Sequence, residues 1–204
     1  MPSSSVVAEA RSLKARLPSS PSVAVLGSTE FHHPMSGALC AARGHALAGV
    51  PRVLLLTGGV EGVGEAVGRA FHAALGPLRA RDRVHHVLPV GAWDWDYGTT
   101  WYAGADMSER REILARLSGI YVVIEGGPGT EHEARVAREE GALVIPIACT
   151  GGHAAALHAS LSPPADHDAG RWAALAQPHT HFEAAAAAVL AMVRERLAEA
   201  AGGS

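Results

Sequence analysis

Lysine is almost missing from this chain. Of its 17 basic residues sixteen are arginine, and the one lysine, Lys14, sits in the N-terminal segment before the first credible strand. A pyridoxal-phosphate enzyme needs a lysine for its Schiff base, and a Walker P-loop needs a Gly-Lys-Ser/Thr turn. Lys14 stands in neither context, so both chemistries are excluded. Cysteine is nearly as scarce: Cys40 and Cys149 cannot build a metal cluster alone, and nothing suggests a disulfide framework. No apolar run reaches the roughly 18 residues of a membrane span. The start, Met1-Pro2-Ser3-Ser4-Ser5, lacks the basic and apolar regions of a signal peptide. A soluble, cytoplasmic protein with no membrane partner is expected. Charged residues are only 18% of the chain and the net charge is −3. That argues against disorder, and against nucleic-acid binding through a general basic surface.

What the chain does have is apolar bulk, 48% of 204 residues, enough for one domain with a sizeable core. It reads as an N-terminal helical extension (1–21), a core (22–147), and an irregular segment with a C-terminal helix (148–204). Short apolar runs over 22–27, 52–57, 85–89, 120–124 and 142–147 predict buried strands. Helical patterns over 35–48, 61–75, 107–117 and 131–140 alternate with them. Strands of this length alternating with helices predict an α/β fold: a Rossmann-like doubly wound parallel sheet flanked by helices.

In such folds ligands bind at the carboxyl ends of the strands, beside helix N-termini. Three glycine-bearing strand ends converge there. They are Gly27-Ser28-Thr29; Thr57-Gly58-Gly59, with Gly62 and Gly64 beyond it; and Gly126-Gly127-Pro128-Gly129-Thr130. Any one of these reads equally as a tight strand-to-helix turn, but three at matching ends point to a phosphate held by backbone amides. A dinucleotide fingerprint is absent: the first turn lacks G-x-G-x-x-G, and no acidic residue follows a second strand to hold a ribose.

Met107-Ser-Glu-Arg-Arg111, an apolar strand and then Gly126-Gly-Pro-Gly-Thr-Glu-His-Glu133 resemble the signature of the Lonely Guy family, M-H-x-R-K followed by P-G-G-x-G-T-x-x-E. Arg110 and Glu133 stand 23 residues apart, the separation that family keeps. The pattern of the wider SLOG superfamily covers roughly residues 22–147. That superfamily includes molybdenum-cofactor carriers, DprA-type DNA-processing proteins and the N-terminal domain of TRPM channels. The resemblance implies a phosphoribohydrolase that splits a nucleoside 5′-monophosphate into free base and ribose 5-phosphate. Arg110 and Glu133 would be its catalytic residues, and Gly126, Gly127, Gly129 and Thr130 would cradle the phosphate. Gly27, Ser28, Thr57, Gly58, Gly59, Gly62, Met107 and Arg111 would complete the ligand-binding set. It implies a homodimer, no metal and no cofactor, and it rejects the lysine-decarboxylase label this motif often attracts.

The chain departs from the signature in several places. Glu125 replaces the motif proline and is expected to add negative charge beside the phosphate site. Arg111 replaces the motif lysine and Ser108 the histidine. A loop from Gly91 to Asp106 holds Trp93, Trp95 and Trp101 with Tyr97 and Tyr102; it either covers a ligand or docks on the core or on a partner subunit. With Leu56–Gly64, it resembles the TRPM-like branch. These departures keep a second reading open: a non-catalytic sensor or carrier of a nucleotide-like ligand such as ADP-ribose, a nucleoside phosphate or a pterin cofactor. A third, deoxyribosyl-transferase-like activity shares the glycosidic chemistry. The paired histidines His32-His33, His85-His86 and His179-x-His181 lack carboxylate or cysteine company at zinc spacing. His132 is expected to point to solvent, Ser28 has no nucleophile elbow, and Cys149 reads as a structural thiol.

Overall fold

The computed structural model describes residues 4–80, 82–164, 168–178 and 182–202. Six strands make one sheet: β1 (Ser22–Gly27), β2 (Leu54–Thr57), β3 (Val84–Leu88), β4 (Thr99–Tyr102), β5 (Ile120–Ile124) and β6 (Leu143–Ile147). Their order is β4-β3-β2-β1-β5-β6, and every neighbouring pair is parallel. The expected α/β doubly wound sheet is therefore present. Strands covered on both faces need no polar alternation, which is why Val-Ala-Val-Leu and Ile-Tyr-Val-Val-Ile read as unbroken apolar runs.

Successive side chains point to opposite faces and divide the core in two. Val23, Val25, Leu55 and Val122 face α2 (Ser36–Ala48), α3 (Val63–Leu75) and α9 (Phe182–Gly202). Ala24, Leu26, Leu56, Tyr121 and Val123 face α1 (Ser4–Arg16), α5 (Met107–Leu114) and α6 (Pro128–Glu139). The N-terminal extension is thus part of the packing: Val6, Ala10 and Leu13 of α1 are buried, and Glu9 accepts from the amide of Gly104 at 3.0 Å. The short α4 (Pro77–Ala80) follows α3. No helix among the described residues is long and apolar enough to cross a membrane.

Two segments differ from expectation. The presumed loop 91–106 contains β4, whose residues are mostly half-buried; an edge strand covered incompletely has no apolar run to betray it. The segment beyond β6 is more regular than its composition suggests. A 3₁₀ turn (Ala148–Thr150) leads into α7 (Gly152–Ser160), and α8 (Ala169–Ala174) follows. These helices bury little, α7 through Ala154 and Leu157 and α8 through Trp172, too few positions to write a helical period. The apolar face of α9 (Ala185, Ala188, Val189, Met192, Val193) packs against its own core.

Candidate functional site

From β1 the chain runs to β2 on one side, while β5 lies on the other; such a reversal opens a crevice at the strand ends. A cleft of about 260 Å³ lies there, bounded by the turns after β1 and β2, by α5 and by the start of α6. Asp106 caps α5, its carboxylate accepting from the amides of Ser108 and Glu109 at 2.8 and 2.9 Å. With the first turn fixed, Met107, Arg110 and Arg111 fall on one side of the helix, three and four residues apart, and all three line the cleft. Gly127 caps α6 and Pro128 starts it, where a missing N–H costs nothing.

Arg110 Nη1 donates to Glu133 Oε1 at 2.7 Å, and Nη2 to the carbonyl oxygen of Gly58 at 2.8 Å. Arg110 is only 3% exposed and Glu133 5%. Burial pushes the Glu133 carboxyl up from its ordinary range, with the Arg110 and Arg111 guanidinia acting against it. Burial likewise lowers Arg110, which Glu133 opposes. Arg110 Nε is buried without a hydrogen-bond partner. An orphaned buried donor costs about 1–3 kcal/mol, and this one belongs to a side chain that lines the cleft. The Arg111 guanidinium makes no hydrogen bond or ion pair among the described residues and lies against Gly129, where a Cβ would come 2.8 Å from its Nε.

Of the residues the sequence nominates, Gly27, Ser28, Gly58, Gly127, Gly129 and Thr130 also line the cleft. Thr130 Oγ1 donates to the carbonyl oxygen of Gly27 at 3.1 Å and ties α6 to the end of β1. Four others stand behind the wall. Thr57 bonds His86, and a Cβ on Gly59 would strike Leu88. A Cβ on Gly62 would strike the carbonyl oxygen of Ser28, and one on Gly126 would strike Thr130. Thr29, at the first glycine-bearing strand end, and Val60, within the second, line the cleft too, as do Glu30 and His32, which no motif marks.

Two readings are corrected. Glu125 does not add a free charge to the phosphate end. Its side chain is fully buried and turned into the segment after β1, accepting from Ser28 Oγ at 2.5 Å, from the amides of His32 (3.1 Å) and His33 (3.0 Å), and from Ser36 Oγ. Burial raises this carboxyl, but those hydrogen bonds outweigh it and hold it below its ordinary value. His132 does not simply point to solvent: its Nε2 lies 2.6 Å from Glu112 Oε1, joining α6 to α5.

The aromatic loop docks on the chain's own core. Trp95 Nε1 donates to the carbonyl oxygen of Gly59 at 2.9 Å, and Tyr97 is buried edge-on to His86 and His72. Arg69 lies over both rings, while Trp101 Nε1 donates to His85 Nδ1 at 3.0 Å. None of the loop's five rings lines the cleft. Among the described residues no group of three or more His, Cys, Asp or Glu is placed to hold a metal; His179 and His181 lie outside them.

The parallel α/β sheet is that of the SLOG superfamily. Within it, the pattern of the SLOG cluster4 family matches residues 20–170, and the chain belongs to that family. Among solved structures it is similar to TM1055, a structural-genomics target: 27% identity, TM-score 0.59, covering 70% of this chain and 82% of that one. It is also similar to the molybdenum cofactor carrier protein of Chlamydomonas reinhardtii (24%, TM-score 0.53, 61% and 74%). The molybdenum cofactor binding protein of the phototrophic bacterium Rippkaea orientalis (22%, TM-score 0.52, 62% and 76%) is likewise similar. The last two likenesses concern the fold alone. No curated protein matches the chain.

Proposed function

We propose that the chain is a phosphoribohydrolase that splits the N-glycosidic bond of a nucleoside 5′-monophosphate. The carrying observation is the Arg110–Glu133 pair, buried in the cleft wall beside the glycine loop. A buried ion pair stabilises a fold little, and an apolar pair of the same size often serves better. Its presence at a strand-end cleft therefore favours chemistry over architecture.

The 5′-phosphate would sit at the start of α6, on the amides following Gly127, with Arg111 as counter-charge. Glu133 would then face the sugar. As the C1′–N bond breaks, its electron pair leaves with the base and positive charge grows on C1′ and the ring oxygen. A carboxylate stabilises that charge and orients the attacking water. Water supplies OH to C1′ and its remaining proton to the base, giving ribose 5-phosphate and free base. Arg110 holds the carboxylate in place.

The test is incubation with AMP, GMP, CMP and UMP, with ribose 5-phosphate and free base as readout. Glu133→Gln should lower turnover on the order of 10²–10⁴-fold; full activity in that variant ends the proposal. The departures from the Lonely Guy signature at Ser108 and Glu125 carry a second reading, binding of a nucleotide-like or pterin ligand without turnover. Tight binding of a ligand recovered intact, and indifferent to Glu133→Ala, would establish it. The Lonely Guy resemblance implies a homodimer, which light scattering of the purified chain distinguishes from a monomer.

A further inference from the structure

Glu125 stands at φ +53°, in the left-handed region that glycine occupies without strain. Glycine would relax the backbone there but would carry no side chain. The glutamate's side chain makes one set of contacts: its carboxylate accepts from Ser28 Oγ, the amides of His32 and His33, and Ser36 Oγ. All four donors belong to residues 28–36, which join β1 to α2 and contain no strand or helix before Ser36. From that segment Thr29, Glu30 and His32 line the cleft. The main chain of Glu125 is held as firmly: its amide donates to Thr150 Oγ1 at 2.8 Å, and its carbonyl oxygen accepts from the amide of Ala154 at 2.9 Å.

We infer that Glu125 is a positioning residue, which fixes the 28–36 wall of the cleft before a ligand arrives and so raises affinity without touching the ligand. A wall ordered in advance spares the ligand the entropy of ordering it. The buried carboxylate, surrounded by donors, also leaves no bare anion beside the phosphate end. The kinetic part of the test rests on the phosphoribohydrolase reading; the exchange part does not.

Glu125→Gln keeps the size and one acceptor oxygen, but turns an NH₂ toward donors. In the unliganded variant, hydrogen exchange at the amides of His32 and His33 should quicken at least tenfold while that of β5 is unchanged. With AMP as substrate, KM should rise at least tenfold with kcat within about threefold. Ser36→Ala, which leaves the strained position alone, should move both readouts the same way by less, and it carries the test if Glu125→Gln does not fold. Unchanged exchange overturns the inference. So does quickened exchange with unchanged KM, or a fall in kcat at constant KM. Should the wild type release no ribose 5-phosphate from AMP, the enzymatic reading fails. Calorimetric AMP affinity then replaces KM, and in the absence of AMP binding the exchange result decides.

Discussion

The indole N–H of Trp95 donates to the carbonyl oxygen of Gly59 at 2.9 Å, while the adjacent carbonyl, of Gly58, accepts from Arg110 Nη2 at 2.8 Å. One turn is gripped from two sides, by the aromatic loop and by the candidate catalytic arginine. Inside it, Thr57 Oγ1 accepts from the amide of Gly59 at 3.2 Å and faces His86 Nδ1 at 2.8 Å.

Trp95→Phe keeps a ring in the nest but removes the donor to Gly59. Loss of one neutral hydrogen bond and some packing should cost about 1–2 kcal/mol in urea unfolding. Trp93, 54% exposed, is the control: Trp93→Ser should stay within about 0.5 kcal/mol. Equal effects would mean that Trp95 holds nothing.

The buried pair separates stability from chemistry. Glu133→Ala strands the Arg110 guanidinium and should destabilise by about 3–5 kcal/mol. The double variant Arg110→Met with Glu133→Leu fills the same space with apolar groups and should unfold at or above the wild-type urea midpoint, yet release no ribose 5-phosphate. A double variant as weak as the single one would assign the pair a structural role.

His86 gives a pH dependence with a definite sign. Its Nε2 faces the carbonyl oxygen of Tyr97 at 3.2 Å, which only accepts, so the proton sits on Nε2 and Nδ1 accepts from Thr57. Burial is the main cause that pushes this imidazole down to about 4. The unfolded chain takes up a proton near 6.5 that the folded one refuses. Stability should therefore be full above about pH 6.5 and decline as the pH falls toward 4, by at most about 3 kcal/mol from this residue. His85, also lowered by burial, adds to the slope. Urea midpoints across pH 7.5 to 4.5 read the decline, which should be shallower in His86→Gln.

Two glycines of one loop should behave differently. A Cβ at Gly127 meets nothing within 4 Å, whereas one at Gly129 comes 2.8 Å from Arg111 Nε and must displace that guanidinium. Gly127→Ala should leave AMP affinity within about threefold and Gly129→Ala should weaken it at least tenfold, both with stability within about 1 kcal/mol. Equal affinities would remove Arg111 from the phosphate end.

The parallel sheet was legible because its central strands are unbroken apolar runs between glycine turns. Arg110 and Glu133 were legible because a motif spans them. The rest failed for physical reasons. β4 lies at the edge with Trp101 half-buried and Tyr102 exposed, so no hydrophobic period marks it. The role of Glu125 depends on a left-handed backbone angle that turns its carboxylate into the protein, and residue type alone does not give that direction. Among the lining residues no motif marks, the amide of His32 is held by that same carboxylate, a contact between positions more than ninety apart in the chain.

Both ends of the sheet are blunt. β4 is only four residues long, and β6 carries Pro146, which has no N–H to offer a newcomer. A second chain finds little to extend by strand addition, so self-association of this protein, where it occurs, has to be built from helix and loop surfaces. The same bluntness protects a sheet of buried Val, Ile and Leu from edge-to-edge aggregation at high concentration.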